Sequence, residues 1–583
     1  MSQPTAATGQ SVTVFDRRDI EQVQGADLTR LLERAPGVTF SRNGGPGAFT
    51  ALRVRGAEGD QLLVLIDGVR VADPASPGGG FDLGNLLMGN AARVELQRSS
   101  NSTIWGSQAL GGVLAVTLGS EPGLAASAEA GARGMVSASA GTRFAAGPAK
   151  FDLRASHFTS DGFSAAAAGT EPDGFRQSEA AGHLAIELAR GLQGFASGRY
   201  AYGRLDTDSF PAPSYTLADT NEYQTTRQYS GASGLAYSGD AVQLRASFAS
   251  AHTERANYDP AFGTSPTFTA NGVSDQAEVR GRWQLADTYA LAFGGMREWS
   301  RFATLYDARH ETAITGFYAQ LERDRGPLHL AAGLRRDLHR DFGGAWSVGA
   351  DAAYRLGRRW RVTASYGEGF KAPTLFQLHS DYGNSALQPE RARSYDIGAV
   401  YAGPVTLALT AFRRDTRAQI GFVSCFGMPT GICAGRPYGT YDNVGQAGAQ
   451  GVELSGAASL PRGLSLRAAY TYLEAADRTA GSPNAGRDLA RRPRHALTLS
   501  GDWGAGRIRL GADLRVVSAS FDDAANTAAL AGYAVATVRG EWDASRAVTL
   551  FGRVENLFDD HYQTAAGYAT AGRGAYLGAR ARF

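Results

Sequence analysis

Beyond residue 119, apolar and polar side chains alternate in short segments that recur to the end of the chain. Phe151-Asp152-Leu153-Arg154-Ala155-Ser156 is one, and Val242-Gln243-Leu244-Arg245-Ala246-Ser247-Phe248 is another. Trp360-Arg361-Val362-Thr363-Ala364-Ser365-Tyr366, Leu464-Ser465-Leu466-Arg467-Ala468-Ala469-Tyr470 and Ile508-Arg509-Leu510-Gly511-Ala512-Asp513-Leu514 repeat the pattern. A period of two marks a strand whose two faces meet different surroundings. About 22 such segments lie between residues 124 and 583, an even number in the range of bacterial barrels. Tight links such as Gly239-Asp240 and Gly357-Arg358 alternate with long polar ones at 158–178, 206–226, 258–275, 370–391, 422–444 and 474–491. That asymmetry predicts a transmembrane barrel with short inner turns and long outer loops.

Closure follows from the solvent. In hydrocarbon each backbone N–H or C=O left open costs several kcal/mol, so antiparallel strands must close on themselves. The second face of each segment is Gly, Ser, Thr, Arg, Asp and Gln, which suits a wet interior. Tyr200, Tyr202, Tyr470, Tyr472, Phe551 and Phe558 fall near strand ends, as interfacial girdles do. A soluble multi-blade or sandwich protein is the alternative, but the segments show no blade-length repeat.

The first 120 residues have another texture. Residues 11–15 alternate as a strand, residues 19–34 read as one amphipathic helix stopped by Pro36-Gly37, and 38–40 is a short strand. Three more apolar strands lie within 53–118, with turn signals at Asp67-Gly68 and Gly111-Gly112. Arg53, Arg55, Asp67, Arg70, Arg93, Glu95 and Arg98 lie close to these apolar runs, so an ion-pair network internal to this domain is expected. Asn43-Gly44-Gly45-Pro46-Gly47 and residues 72–80 are Gly- and Pro-rich tips, the kind of loop on which ligands are met. The reading is thus a small α/β domain at 1–120 followed by an all-β barrel of 22 antiparallel strands at 121–583.

Composition narrows the function. Net charge is +2 with no long basic run, which gives no hint of nucleic-acid binding. No stretch reaches the roughly 18 apolar residues of a membrane helix. His-Glu-x-x-His, P-loop and Gly-x-Ser-x-Gly motifs are missing and the 9 histidines are scattered, so no enzyme is expected. Cys425 and Cys433 are the 2 cysteines, in a long outer loop. They read as a disulfide in an oxidising compartment, with free thiols as the alternative.

Several motifs together resemble the TonB-dependent outer-membrane receptors, in which an N-terminal plug fills a 22-stranded barrel. On the plug they are Arg53-Val54-Arg55-Gly56, Val64-Leu65-Ile66-Asp67-Gly68-Val69-Arg70, Arg93-Val94-Glu95 and the run from Trp105-Gly106-Ser107 to Gly112. At the other end are Glu555-Asn556-Leu557-Phe558-Asp559-Asp560-His561-Tyr562, Gly567-Tyr568, Gly572-Arg573 and a terminal Phe583 that looks like the signal read by the barrel-insertion machinery. Within that family the likeness is greatest to cobalamin receptors, through Ser365-Tyr366-Gly367, Phe370-Lys371-Ala372-Pro373, Leu387-Gln388-Pro389-Glu390, Asn443-Val444-Gly445 and Gly451-Val452-Glu453.

The resemblance implies a monomer in the outer membrane that imports cobalamin or a related corrinoid when the TonB complex of the inner membrane pulls on the plug. Phe49, Thr50, Ala51, Glu58, Ser76 and Pro77 of the plug, and Arg491 of the barrel, fall on ligand-contact positions. A contact aromatic expected in 521–527 is missing. Glu171, Asp173, Asp208 and Asp219 fall on calcium-ligating positions, with Ser164 or Asp161 as a further ligand. Calcium takes six to eight oxygens, several from carboxylates; the alternative is a pair of solvated acidic loops. A signal peptide and a TonB-contacting box are not visible in residues 1–10, so this chain as written is expected to bind ligand without transporting it. A ferric-siderophore receptor would share every fold motif, and a passive porin would lack the plug.

Overall fold

The computed structural model describes residues 8–427 and 430–583. Residues 1–7, on which the expectation about a TonB-contacting box falls, lie outside the described residues.

Twenty-two antiparallel strands form one closed barrel, and the last of them, Gly574–Arg582, pairs back onto the first, Gly123–Gly131. Alternation decides which side chain goes where. Asp152 and Arg154 point inward and are buried, whereas Leu153 between them stands 49% exposed on the outer wall. Val279, Trp283, Phe317, Leu334, Ile397, Leu409 and Leu510 likewise face outward. No helix among the described residues is long and apolar enough to cross a membrane; strands do the crossing.

The strands overrun the bilayer. Ala218–Ser238 has 21 residues and Gly439–Leu460 has 22, against the roughly 9–11 that a membrane strand needs. Much of what reads as long polar loop is therefore paired strand projecting outward. Asp173–Ala189 and Leu192–Ser209 both begin or end inside segments expected to be loop. Two of the expected girdle aromatics also differ. Phe551 turns inward, 7% exposed, beneath the Arg580 guanidinium, and Phe558 lies in an outer loop. Tyr200 faces outward against Tyr229, and Tyr470 and Tyr472 pack around His495.

Inside the cylinder sits the plug. Its five-stranded sheet orders the strands Val12–Phe15, Ala91–Gln97, Gly112–Leu118, Leu62–Ile66 and Val69–Arg70. Thr50–Val54 pairs separately with Val38–Arg42 as a hairpin. The core gathers Ile20, Leu28, Leu31, Leu32, Leu52, Val64, Ile66, Val94, Leu96, Leu114 and Val116. Burying each such Leu, Ile or Val stabilises by about 1.5–3 kcal/mol. The single expected helix is two, Arg17–Val23 and Leu28–Leu32. Gln24 and Gly25 both take positive φ, and the Asp27 carboxylate caps the second helix by accepting from Thr29 N–H. Across the break, Leu28, Leu31 and Leu32 join Ile20 and Val23 in one core.

Two of the charged residues expected to pair within the plug, Arg55 and Arg98, pair with the wall instead. Arg55 Nη1 donates to Asp396 at 2.8 Å, and its Nε and Nη2 donate to Glu453 at 2.7 and 2.8 Å. Arg98 also lies 3.3 Å from Glu453. All four side chains are nearly inaccessible, at 2–8%. Arg93 pairs with Glu95 within the plug, Arg70 donates to the Trp105 carbonyl, and Asp67 accepts from Leu118 N–H at 2.8 Å. Arg53 meets Glu58 at 3.6 Å.

Candidate functional site

The plug tips at 43–49 and 72–82 rise to the outer end of the barrel, and the inward faces of the strands around 205–228 and 253–255 surround them. Between them lies a cavity of about 380 Å³ lined by Phe49, Asp73, Ser76, Pro77, Asp82, Asp173, Asp206, Asp208, Arg255 and Tyr568, among others. That is the lower end of the small-molecule range, so a macrocycle would rest across it rather than inside it.

The expected ligand residues divide. Phe49 is 52% exposed at the tip, and Ser76 and Pro77 line the cavity. Thr50 and Ala51 are covered, at 1% and 8%, because their strand packs into the plug. The Thr50 hydroxyl donates to Ala48 C=O and accepts from Arg42 Nε. Glu58 is drawn into the plug–wall contact by Arg492 and Arg53. Although burial pushes the Glu58 carboxyl up, Arg492 and Arg53 bring it down to about 2. Arg491 is engaged by Asp522, with Nε donating at 2.6 Å and Nη2 at 3.2 Å, and does not line the Phe49 cavity.

The acidic loops come together at the cavity rim. Ser164 Oγ donates to Asp219 at 2.8 Å and lies 3.3 Å from Asp208. Backbone N–H groups hold the carboxylates: Ala165 donates to Asp173, Ala166 and Thr220 to Asp208, and Thr170 and Glu171 to Asp219. Partial burial, then the neighbouring Asp208, Asp219 and Asp206, push the Glu171 carboxyl above its usual range. Ser164, rather than Asp161, is the further oxygen at this cluster; Asp161 stands against Gly134. Among the described residues no three His, Cys, Asp or Glu side chains stand at ready metal-binding distances. The donor set is nevertheless all oxygen, the chemistry a hard cation takes.

Sequence reading missed three lining groups. Asp73 pairs with Arg255 at 3.1 Å, and Arg255 also donates to Ala75 C=O. Asp82 accepts from Thr50 and Gly84 N–H, both at 2.9 Å. Burial outweighs these donors and pushes Asp82 up to about 6. Nothing local marks Asp73 or Asp82, since short polar residues in a Gly-Pro tip look like ordinary turn formers. The Asp82 shift has a consequence with a definite sign. The folded plug holds a proton that the unfolded chain releases, so stability falls as pH rises from about 4 to about 6, by at most about 2–3 kcal/mol. Hydrogen exchange across Thr50–Val54 reads this directly, and Asp82→Asn is expected to flatten the profile.

The cavity is coupled to the deep plug–wall contacts. A Cβ on Gly78 or Gly80 would fall 2.3–2.7 Å from Asp60, so the 72–80 loop rests directly on that residue. Asp60 in turn accepts from Lys371 Nζ at 2.7 Å, a wall lysine with no exposed side-chain surface. Thr374 Oγ1 donates to Pro77 C=O at 3.1 Å. In the outer loop at 425–438, Cys425 and Cys433 are joined as a disulfide with Cα atoms 5.3 Å apart.

A plug threaded through a closed 22-stranded barrel meets two family descriptions. The TonB-dependent receptor plug domain matches residues 4–113, and the TonB-dependent receptor-like β-barrel matches residues 161–557. The chain belongs to the TonB-dependent receptor family. Solved structures agree on the fold. A ferric enterobactin receptor variant from Pseudomonas aeruginosa is 18% identical with a TM-score of 0.82, over 99% of this chain and 98% of that one. A siderophore receptor from Acinetobacter baumannii is 16% identical at TM-score 0.79, over 99% of both chains. An iron transporter from Neisseria meningitidis is 14% identical at 0.82, over 98% of this chain and 99% of that one. The receptor is an outer-membrane protein of a family that takes up cargo with the help of TonB, and the plug occupying its bore separates it from an open porin.

Proposed function

We propose that this receptor imports a large metal chelate that carries no net negative charge, a corrinoid such as cobalamin being the reading its mouth supports best. One observation carries the proposal: five aspartates, Asp73, Asp82, Asp173, Asp206 and Asp208, line the outer cavity against Arg255. Potentials across a binding surface are complementary, and juxtaposed like charges cost several kcal/mol. With Asp73 already paired to Arg255 and no cation bound, a trianionic ferric catecholate would be repelled by the remaining aspartates, whereas a neutral corrinoid is not. The motif likeness to cobalamin receptors points the same way.

Calcium belongs to the same reading. Asp173, Asp208, Asp219 and Ser164 already converge, and Glu171 is close enough to feel the aspartates. A cation would relieve that crowding and tie the loops at 164–172 and 210–217 together before ligand arrives, reducing the ordering cost of binding. Once cargo rests on the 72–80 loop, the contact with Asp60 and Lys371 gives it a route to the plug–wall contacts, and TonB supplies the pull.

A ferric siderophore is the second reading, favoured by what the solved receptors from Pseudomonas and Acinetobacter are named for. The acidic mouth restricts it to neutral or cationic chelates. Competition binding to the purified receptor separates the two. Labelled cobalamin is expected to bind, to bind at least tenfold more tightly with calcium, and to resist displacement by ferric hydroxamates and catecholates. Asp208→Asn with Asp219→Asn should abolish the calcium effect. Displacement by a ferric chelate at lower concentration than by unlabelled cobalamin would overturn the corrinoid reading.

A further inference from the structure

The barrel wall splits at its outer end. Strands Gly343–Leu356 and Trp360–Lys371 pair from Leu356↔Trp360 to Gly349↔Gly367 and then part. Each stays paired on its other side: Val348 to Gly343 remain bonded to Leu334 to His339, and Glu368 to Lys371 to Arg393 to Glu390. Open backbone groups facing a membrane cost several kcal/mol each. The first of them, Val348 N–H, is met by the Glu368 carboxylate at 3.3 Å. Above that point the split is a cavity of about 250 Å³. Phe342, Gly344 and Ala345 form one side, and Phe370, Pro389, Arg391 and Arg417 form the other.

His339 and Asp337 also line it, the Asp337 carboxylate held by Arg335 at 2.7 Å, and the rim is cationic. Arg391 and Arg417 are direct cross-strand partners on the outward face, and both are exposed. Like charges placed opposite one another destabilise a strand pair. Neighbouring outward arginines are neutralised, Arg393 by Glu368 at 3.3 Å and Arg413 by Asp415 at 3.0 Å. Among the described residues, no carboxylate lies within ion-pair distance of Arg391 or Arg417. Across the split, the Arg336 guanidinium lies 5.0 Å from the ring centroid of Trp346, which is 54% exposed. An exposed tryptophan at a strand end marks headgroup level.

We propose that this split is a binding site for the phosphorylated headgroup of an outer-leaflet lipid, with Arg391 and Arg417 donating to phosphate and Arg336 on Trp346 flanking it. Guanidinium pairs match phosphate geometry and make charge-assisted hydrogen bonds to it. A lipid phosphate answers the two problems the wall leaves, the unpaired arginines and the open cleft, and its acyl chains continue along the apolar outer wall. Charge complementarity and placement at the membrane surface favour the lipid over a free anion.

The test uses the intact receptor in detergent. Native mass spectrometry is run with bisphosphorylated lipid A, with the same lipid dephosphorylated, and with millimolar inorganic phosphate as competitor. One phosphorylated lipid per barrel is expected to be retained, at least tenfold less after Arg391→Gln with Arg417→Gln, and unchanged after Arg413→Gln. Unheated gel mobility checks that each variant keeps its barrel; if the double variant does not, the two lipids on the unaltered receptor decide. Equal retention of the dephosphorylated lipid, retention by the folded double variant, or full displacement by inorganic phosphate would each overturn the proposal.

Discussion

Glu453→Gln is expected to loosen the plug from the barrel by about 3–5 kcal/mol while the barrel itself stays closed. Glu453 accepts from Arg55 at 2.7 and 2.8 Å and lies 3.3 Å from Arg98, so one carboxylate holds two plug arginines. Its side chain is only 2% exposed, so bulk solvent does not reach the site. With an amide there, Arg98 loses the carboxylate it pairs with, while Arg55 keeps Asp396. The cost is mostly that of stranded buried charge rather than of the lost bonds. Arg55→Met with Glu453→Met removes charge on both sides and should cost less than the sum of the two single changes, with Arg98 and Asp396 left as the stranded groups. Hydrogen exchange of Thr50–Val54 and Ala91–Gln97, compared with the wall strands, separates plug loosening from barrel unfolding. Equal protection in Glu453→Gln and the unaltered receptor would contradict this account.

Removing residues 1–118 is expected to turn a closed receptor into a conducting pore, with single-channel conductance in planar bilayers at least tenfold above that of the intact protein. The wall closes through its own strand pairing, from Gly123–Gly131 round to Gly574–Arg582, and none of that ladder runs through the plug. Its apolar outer face is likewise independent of the plug. The inner wall is polar and tolerates water. What the deletion strands are the groups aimed at the plug: Arg414 donates to Val54 and Arg55 carbonyls, Arg515 to Glu33 and Val38 carbonyls, and Lys371 to Asp60. In a water-filled bore these can be solvated, so the penalty is smaller than for the same charges left buried. Wall carboxylates are stranded as well, Asp396 and Glu453 by the loss of Arg55 and Asp513 by the loss of Arg34, so the pore is expected to show no strong anion preference, which reversal potentials in a salt gradient measure.

The outer site is built from pieces with different origins. The acidic loops are local: Asp173, Asp208 and Asp219 lie in polar segments whose likeness to the family's calcium-binding loops implied an oxygen-rich site. Their meeting is not local. It depends on neighbouring wall strands whose outer ends adjoin, so that Ser164 reaches Asp219. Asp73 and Asp82 join them only because the plug is seated to present its 72–82 tip to the same strands. Thr50 and Ala51 stand near enough to a tip to look available, yet strand alternation and hairpin packing cover both. Arg491 carries the charge a ligand contact needs, but Asp522, in a separate loop, engages it.

Side-chain periodicity by itself determined that this chain makes a barrel, roughly how many strands it has and which end carries the long loops. Those features repeat every two residues or lie within one turn, so the information is local and survives without knowledge of the partner strand. Tertiary structure alone decided which arginine meets which carboxylate, since Arg55 and Glu453 are 398 positions apart. It also decided that Phe551 turns inward and that the wall parts above Gly349 and Gly367. Register, closure and the seating of the plug set those pairings, and none of the three is written in any short stretch of sequence.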